Sequence, residues 1–315
     1  MQDVFKDLTV IELAGVLAGP SVGLFFAELG AKVIKIENPR TGGDVTRSWK
    51  LSTEDALDNT SAYYWSVNAG KEILFLDLAD AKDLAQFYAL VKTADIVISN
   101  YKAGDDKKLK VDYKTLSSIH PSLIHASING FGKDKPRTAY DLILQAESGF
   151  MFMNGEPNAA PLKMPVALID ILAGHQLKEA VLIALLQRHK SGKGAALSVS
   201  LFDTAIASLA NQATNWLIAH HLPVSQGSLH PNIAPYGELY TTADQHTITF
   251  AIGSDKQFQK LCALLGLGIA TDVRYSNNQQ RVIHREKLWA ILSEKIRSHS
   301  FQDLYQACLE LDIPI

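Results

Sequence analysis

Six short runs rich in β-branched residues recur through the first two hundred or so residues, each followed by a helical stretch or a turn. The runs cover 8–13, 32–37, 73–77, 95–99, 123–128 and 196–201, with helices expected near 21–29, 81–92 and 113–119. Strands this apolar, joined by crossover helices, fit a parallel sheet covered on both faces. An α/β class follows, with a Rossmann-like parallel-sheet domain as its main body.

The rest of the chain changes character. A helix is expected over 170–189, closed by the turn Lys190-Ser-Gly-Lys-Gly194. A second, amphipathic helix is expected over 202–220, where Phe202, Ile206, Leu209, Ala213, Trp216 and Leu217 keep helical spacing. Residues 222–235 are rich in Pro, Ser, Gly and Asn and read as a linker. Beyond it, 237–252 reads as a hairpin turning at Ala243-Asp244-Gln245, followed by helices near 255–264, 281–298 and 301–311. The expected organisation is a large domain over 1–200, a linker helix and connector over 201–235, and a second, smaller α/β domain over 236–315.

Bulk properties exclude several functions. A net charge of −3 leaves no electrostatic footprint for nucleic acid. Two cysteines, Cys262 and Cys308, without CxxC spacing suggest neither a disulfide framework nor a zinc site. The longest uninterrupted apolar run, residues 180–186, is far too short for a bilayer span, and the N-terminus lacks a basic-then-apolar signal pattern. A cytoplasmic protein with no metal site is expected.

The opening strand–helix–strand unit superficially resembles a dinucleotide fold, but its glycines fall at 15, 19 and 23. GxxxGxxxG is not GxGxxG, and close strand–helix packing explains it as well. The segment Lys102-Ala-Gly-Asp-Asp-Lys-Lys-Leu-Lys110 is a loop with a basic cluster of the kind that a polyphosphate ligand needs. Asp170 stands between an apolar stretch and a long helix, where an aspartate serves as N-cap and complements the helix dipole. The same position aims a carboxylate out of the sheet's carboxyl end, where open α/β sheets place their sites, and would lower its pKa. Gly174, four residues on, costs about 1 kcal/mol inside a helix relative to Ala, so something packs closely there. None of the ten histidines has HExxH or triad context.

Taken together, several segments resemble the family III CoA-transferases, the group that includes formyl-CoA and carnitine CoA-transferases and the α-methylacyl-CoA racemases. The carrying segments are Leu17-Ala-Gly-Pro20, Leu29-Gly-Ala-Lys-Val-Ile-Lys-Ile-Glu37, Gly43-Asp-Val-Thr-Arg47, Leu76-Asp-Leu78 and Ile98-Ser-Asn-Tyr101. Ser127-Ile-Asn-Gly-Phe-Gly132, Tyr140-Asp-Leu-Ile-Leu-Gln145, Asp170-Ile-Leu-Ala-Gly174 and His230-Pro-Asn-Ile-Ala-Pro-Tyr236 continue the series, with Gly253-Ser-Asp-Lys-Gln-Phe258 and Asp272-Val-Arg-Tyr275 from the smaller domain.

The resemblance implies that Asp170 is the catalytic nucleophile, forming an aspartyl–CoA thioester by way of a mixed anhydride. It implies that coenzyme A is a substrate rather than a bound cofactor, contacted by Leu17, Ala18, Asn100, Tyr101, Lys108 and Tyr140. Asn38 stands where the family often has arginine, and Arg40 is the expected substitute. Racemases of the family have Gly-His-Asp where this chain has Ala139-Tyr-Asp141. Tyrosine, with an ordinary pKa near 10, is a poor general base at neutral pH, which favours transferase over racemase.

The implied substrates are an acyl-CoA and a carboxylic acid, and the implied assembly is an interlocked homodimer. In the family the chain usually returns from the small domain to the large one. This sequence ends at Ile315 before that return, so a C-terminal segment is expected to be absent and activity weakened. An acyl-CoA racemase or epimerase, and a non-catalytic CoA-binding remnant, are the alternatives.

Overall fold

All six expected strands form: β1 (Thr9–Glu12), β2 (Lys32–Glu37), β3 (Glu72–Phe75), β4 (Ile96–Ser99), β5 (Ile124–Asn129) and β6 (Ala195–Ser200). They lie in one parallel sheet of order β3-β2-β1-β4-β5-β6. The computed structural model describes residues 3–315. Helices α1 (Ala18–Glu28), α2 (Ala62–Asn68), α3 (Ala81–Val91), α4 (Tyr113–Ile119), α5 (Asp141–Glu147), α6 (Leu168–Ser191), α7 (Leu201–Ala207) and α8 (Asn211–Ala219) accompany the sheet.

Alternation along each strand divides the buried side chains between the two faces. Val10, Val33, Ile96, Ile98 and Ile124 turn to one face and meet Val22 and Phe26 of α1 and Ala173, Leu177 and Val181 of α6. Ile11, Ile34, Ile36 and Val97 turn to the other and meet Phe87, Val91 and Leu116 of α3 and α4. Both faces of the sheet are therefore core, which is why the strands are continuously apolar in sequence.

Contacts divide the chain into two units. The first runs to Phe152 and resumes over Leu162–Pro223; the second is Met153–Pro161 with Val224–Ile315. The expected connector over 201–235 is thus corrected. Residues up to Pro223 belong to the first unit, because α7 buries Leu201 and Ala205 in that unit's core. The helix expected over 202–220 is two helices, broken where Ala210 takes φ 47°, outside right-handed helical space. In the second unit the hairpin β7 (Tyr236–Thr241) and β8 (Thr247–Ala251) forms as expected. It is followed by α9 (Asp255–Leu264), α10 (Asn278–Ile283), α11 (Arg285–Ile296) and α12 (Phe301–Glu310). Tyr240, Phe250, Phe258, Leu261, Leu292 and Leu304 make its core. The fully buried Arg281 donates to Ala234 O at 2.8 Å and pairs with Asp255 at 2.7 Å. Among the described residues no helix is long and apolar enough to cross a membrane.

The glycine spacing of α1 is packing. A Cβ at Gly19 would stand 2.3 Å from the Ala14 Cβ, and one at Gly23 only 1.8 Å from Glu12 Oε2. Gly23 leaves room for the buried ion pair between Glu12 and Lys71, at 2.7 Å. Gly23→Ala is therefore expected to displace Glu12. Disrupting a buried pair costs roughly 3–5 kcal/mol, against a helix-propensity gain of about 1 kcal/mol. Urea titration should show a net loss of about 2–4 kcal/mol, and an unchanged midpoint would contradict this packing account.

Candidate active site

The carboxyl ends of β1, β4 and β5 open into a cavity of about 270 Å³, the position open α/β sheets use for ligands. The loop after β1 contributes Gly15, Val16, Leu17 and Ala18, and the loop after β4 contributes Asn100, Tyr101 and Lys102. Lys135, Arg137 and Tyr140 face it from the segment before α5, and Asp170 from the first turn of α6. No histidine lines it.

Asp170 is not the N-cap of its helix. It is the third helical residue, and Ala167, at the cap position, has no side chain that can accept. The accepting group comes from outside: Asp141 Oδ1 receives the N–H of Ile169 at 2.7 Å and that of Asp170 at 3.4 Å. Asp141 is itself held by Gln145 Nε2 at 2.5 Å, and Gln145 Oε1 receives the Met164 N–H at 2.8 Å. One carboxylate thus closes the exposed backbone of α6 and stands beside the buried carboxyl of Asp170.

That arrangement reverses the expected pKa. A helix N-terminus favours a carboxylate, but Asp170 is only 8% exposed. Burial first, and then the negative charge of Asp141, push Asp170 up to about 7. The close packing expected at Gly174 is present: a Cβ there would stand 2.3 Å from Ser21 Oγ and 3.2 Å from Ala18 O. The absent side chain lets α6 lie against the start of α1.

Of the residues singled out from sequence, Leu17, Ala18, Asn100, Tyr101, Tyr140 and Asp170 line this one cavity. Asn100 is committed to the backbone, accepting from Gly15 N at 3.0 Å and donating to Gly15 O at 2.8 Å. Burial holds the Tyr101 phenol up at about 12. Arg40 is not on the cavity wall; it is largely exposed and pairs with Asp77 at 2.5 Å. Lys108 is not there either, because it turns back to Asp105 one helical turn away, at 2.9 Å.

The cations that do face the cavities are others. Lys102 and Lys135 line the one with Asp170. An adjoining cavity of about 420 Å³ shares Tyr101, Lys102 and Asn129 with it and adds Lys107, Lys114 and Lys133. The run Gly132-Lys-Asp-Lys-Pro-Arg137 is as basic as 102–110, and that was the available signal. Tyr63 was also missed. Burial and then the charges of Asp170, Asp141 and Asp44 raise its phenol above the usual range, so it stands in reach of the same acids.

The loop from β1 to α1 is strained. Val16 has φ 70°, a left-handed conformation that costs a β-branched residue of order 1–3 kcal/mol. It is held there beside Asp170 by buried polar groups.

A carboxyl whose folded pKa lies near 7, above the ordinary value near 4, is bound to its proton more tightly in the folded state. Folding stability therefore falls as pH rises from about 4 through about 7. Asp170→Asn mimics the neutral acid and is expected to be more stable than the native chain at pH 8. The gain is on the order of 4 kcal/mol, at about 1.4 kcal/mol per unit, and the difference should close toward pH 4. Thermal melting across this range checks it, and a constant offset would show that Asp170 is not buried as a neutral acid.

The sequence pattern of CoA-transferase family III matches residues 5–315. The chain is similar to a succinate–glutarate CoA-transferase of Agrobacterium fabrum, 42% identical over 316 residues, covering 98% of this chain and 78% of that protein. It is also similar to an acetyl-CoA:oxalate CoA-transferase of Acetobacter aceti, 35% identical over 297 residues, covering 93% and 75%. Among solved structures it resembles a CAIB/BAIF family protein from Brucella suis, with a TM-score of 0.80 and 37% identity, covering 100% of this chain and 83% of that one. With its six-stranded parallel sheet and nearly its whole length matched, the chain belongs to CoA-transferase family III.

Proposed function

We propose that this chain transfers coenzyme A from an acyl-CoA to a carboxylic acid through a covalent intermediate on Asp170. The observation that carries the reading is the buried Asp170 carboxyl at the sheet's carboxyl ends, raised to about 7 in a cavity flanked by lysines. A carboxylate stripped of water is a better nucleophile than a solvated one, and a pKa near 7 still leaves much of it ionised at neutral pH.

The steps balance without any other reactant. The Asp170 carboxylate attacks the thioester carbonyl, the C–S bond breaks, and CoA leaves as thiolate with a mixed anhydride behind it. The thiolate then attacks the aspartyl carbonyl of that anhydride and releases the donor acid, giving an aspartyl thioester. The acceptor carboxylate attacks this thioester and frees the thiolate again. Attack on the acceptor's acyl carbon then yields the new acyl-CoA and returns the Asp170 carboxylate. Each tetrahedral stage puts negative charge on an oxygen beside the first turn of α1, whose leading N–H groups favour it.

The relatives named above handle dicarboxylic acids, and we extend that substrate class to this chain. The ammonium groups of Lys102 and Lys135 on the cavity wall suit a second carboxylate. A racemase reading is disfavoured because the wall carries a tyrosine, Tyr140, and no histidine opposite Asp170.

An exchange screen of acyl-CoA donors against acids, read by mass spectrometry, tests the reading. Asp170→Asn is expected to lose at least about a thousandfold in kcat, since an amide cannot serve as the nucleophile. Hydroxylamine trapping during turnover should modify the Asp170 peptide. Because the ionised form attacks, kcat/KM should rise with pH through a midpoint near 7 and level off above it. Asp141→Asn keeps an accepting oxygen for the helix start but removes the neighbouring charge, so it should move that midpoint lower. Full exchange activity in Asp170→Asn, or trapping at another residue, would overturn the mechanism.

A further inference from the structure

The strained loop before α1 is pinned at three consecutive residues, each by a side chain from a different place. Ala14 O accepts from Lys35 Nζ of β2 at 2.6 Å. Gly15 exchanges both backbone groups with the Asn100 amide beyond β4. Val16 donates its N–H to Asp44 Oδ2 at 3.2 Å. The next two residues, Leu17 and Ala18, line the cavity with Asp170 and open α1.

Asp44 is itself fixed from several sides. Its Oδ1 accepts from Thr46 N at 3.0 Å and Thr46 Oγ1 at 2.9 Å, and its Oδ2 pairs with Lys35 Nζ at 3.1 Å. Its own N–H donates to Glu37 Oε2 at 3.0 Å, and Glu37 is clamped by Arg47 and by Tyr64 Oη. Lys35 also meets Glu12, at 2.9 Å. Burial opposes the Lys35 charge most, but Glu12 and Asp44 outweigh it and hold its pKa above the usual lysine value. The cluster is thus ionic and buried beneath the loop. A β-branched residue at positive φ persists only where its surroundings overdetermine it, and such strain gathers at functional sites.

We infer that Asp44 is a positioning residue for CoA transfer: by holding Val16 at positive φ, it aims the first N–H groups of α1 at the oxygen that gains charge during attack by Asp170. Without that hold, Val16 relaxes toward negative φ and carries Leu17 and Ala18 with it. Binding of acyl-CoA, spread over many contacts, depends far less on this aim than the reaction does. This inference rests on Asp170 as the nucleophile.

The test uses the full chain and compares kcat, KM for acyl-CoA and thermal melting in Asp44→Asn, Asp44→Ala, Val16→Gly and the doubles. Losing an aimed donor costs about a hundredfold in kcat, so Asp44→Ala should fall by about that much, with KM within about threefold. Asp44→Asn keeps an accepting oxygen and should fall less. Glycine adopts φ 70° without steric cost, so in the Val16→Gly background either Asp44 substitution should cost several-fold less than in the native background. A role in stability alone would lower the melting temperature and leave kcat and this coupling unmoved. Should Asp44→Ala fail to fold, the Asp44→Asn comparison in the two backgrounds decides. Equal losses in both backgrounds, or unchanged kcat in folded variants, overturn the inference. If Asp170→Asn instead retains exchange, the nucleophile assignment falls, and the coupling between positions 44 and 16 is still read from the rates.

Discussion

The carboxylate of Asp141 does two things at the start of α6, and the chemistry of the site depends on both. It supplies the acceptor that Ala167 cannot, receiving the leading N–H groups of the helix. In the same place it sets a negative charge against the buried carboxyl of Asp170 and keeps that group near neutrality in its titration. A helix capped by its own aspartate would have spent that side chain on the backbone. Delegating the cap to α5 leaves Asp170 facing the cavity.

Beneath the opposite wall lies a second arrangement of charge. Glu12, Lys35, Asp44 and Lys71 are buried together, with Glu37 and Arg47 alongside. Burial pushes Lys71 down to about 8, relieved only in part by Glu12. Buried pairs of this kind contribute little net stability, because desolvation offsets their attraction. What they supply here is placement: the loop from β1 into α1 has its backbone groups held by side chains rather than by a strand neighbour. Gly23 and Gly174 belong to the same design, since each lets α1 approach a polar group or a helix that any side chain would push away.

The sheet was legible because its strands are buried on both faces and so read as unbroken apolar runs; six out of six appear where the pattern put them. Helices α2 and α5, two turns each, were not, although α4, equally short, was; seven residues carry too little periodicity to decide by themselves. Asp170 was visible as an aspartate at a helix start, yet its pKa was misjudged: local sequence shows the dipole and conceals both the burial and Asp141, twenty-nine residues earlier in the chain. Arg40 and Lys108 were chosen for charge and loop position, but each found a nearer acid, Asp77 and Asp105. Lys102 and Lys135 face the cavity instead. Whether a surface cation looks inward or pairs beside itself is decided by three-dimensional neighbours.

The most direct measurement follows oxygen atoms. An acceptor acid labelled with heavy oxygen in its reacting carboxylate bridges to Asp170 in the second anhydride, and attack by thiolate at the acyl carbon leaves the bridging oxygen on the aspartate. After a single turnover, the peptide containing Asp170 should be heavier by one labelled oxygen, with a second following on repeated turnover, and fragmentation should locate the label on that side chain. Transfer of CoA with no label in Asp170, or with label appearing only in solvent water, would contradict a covalent aspartyl route.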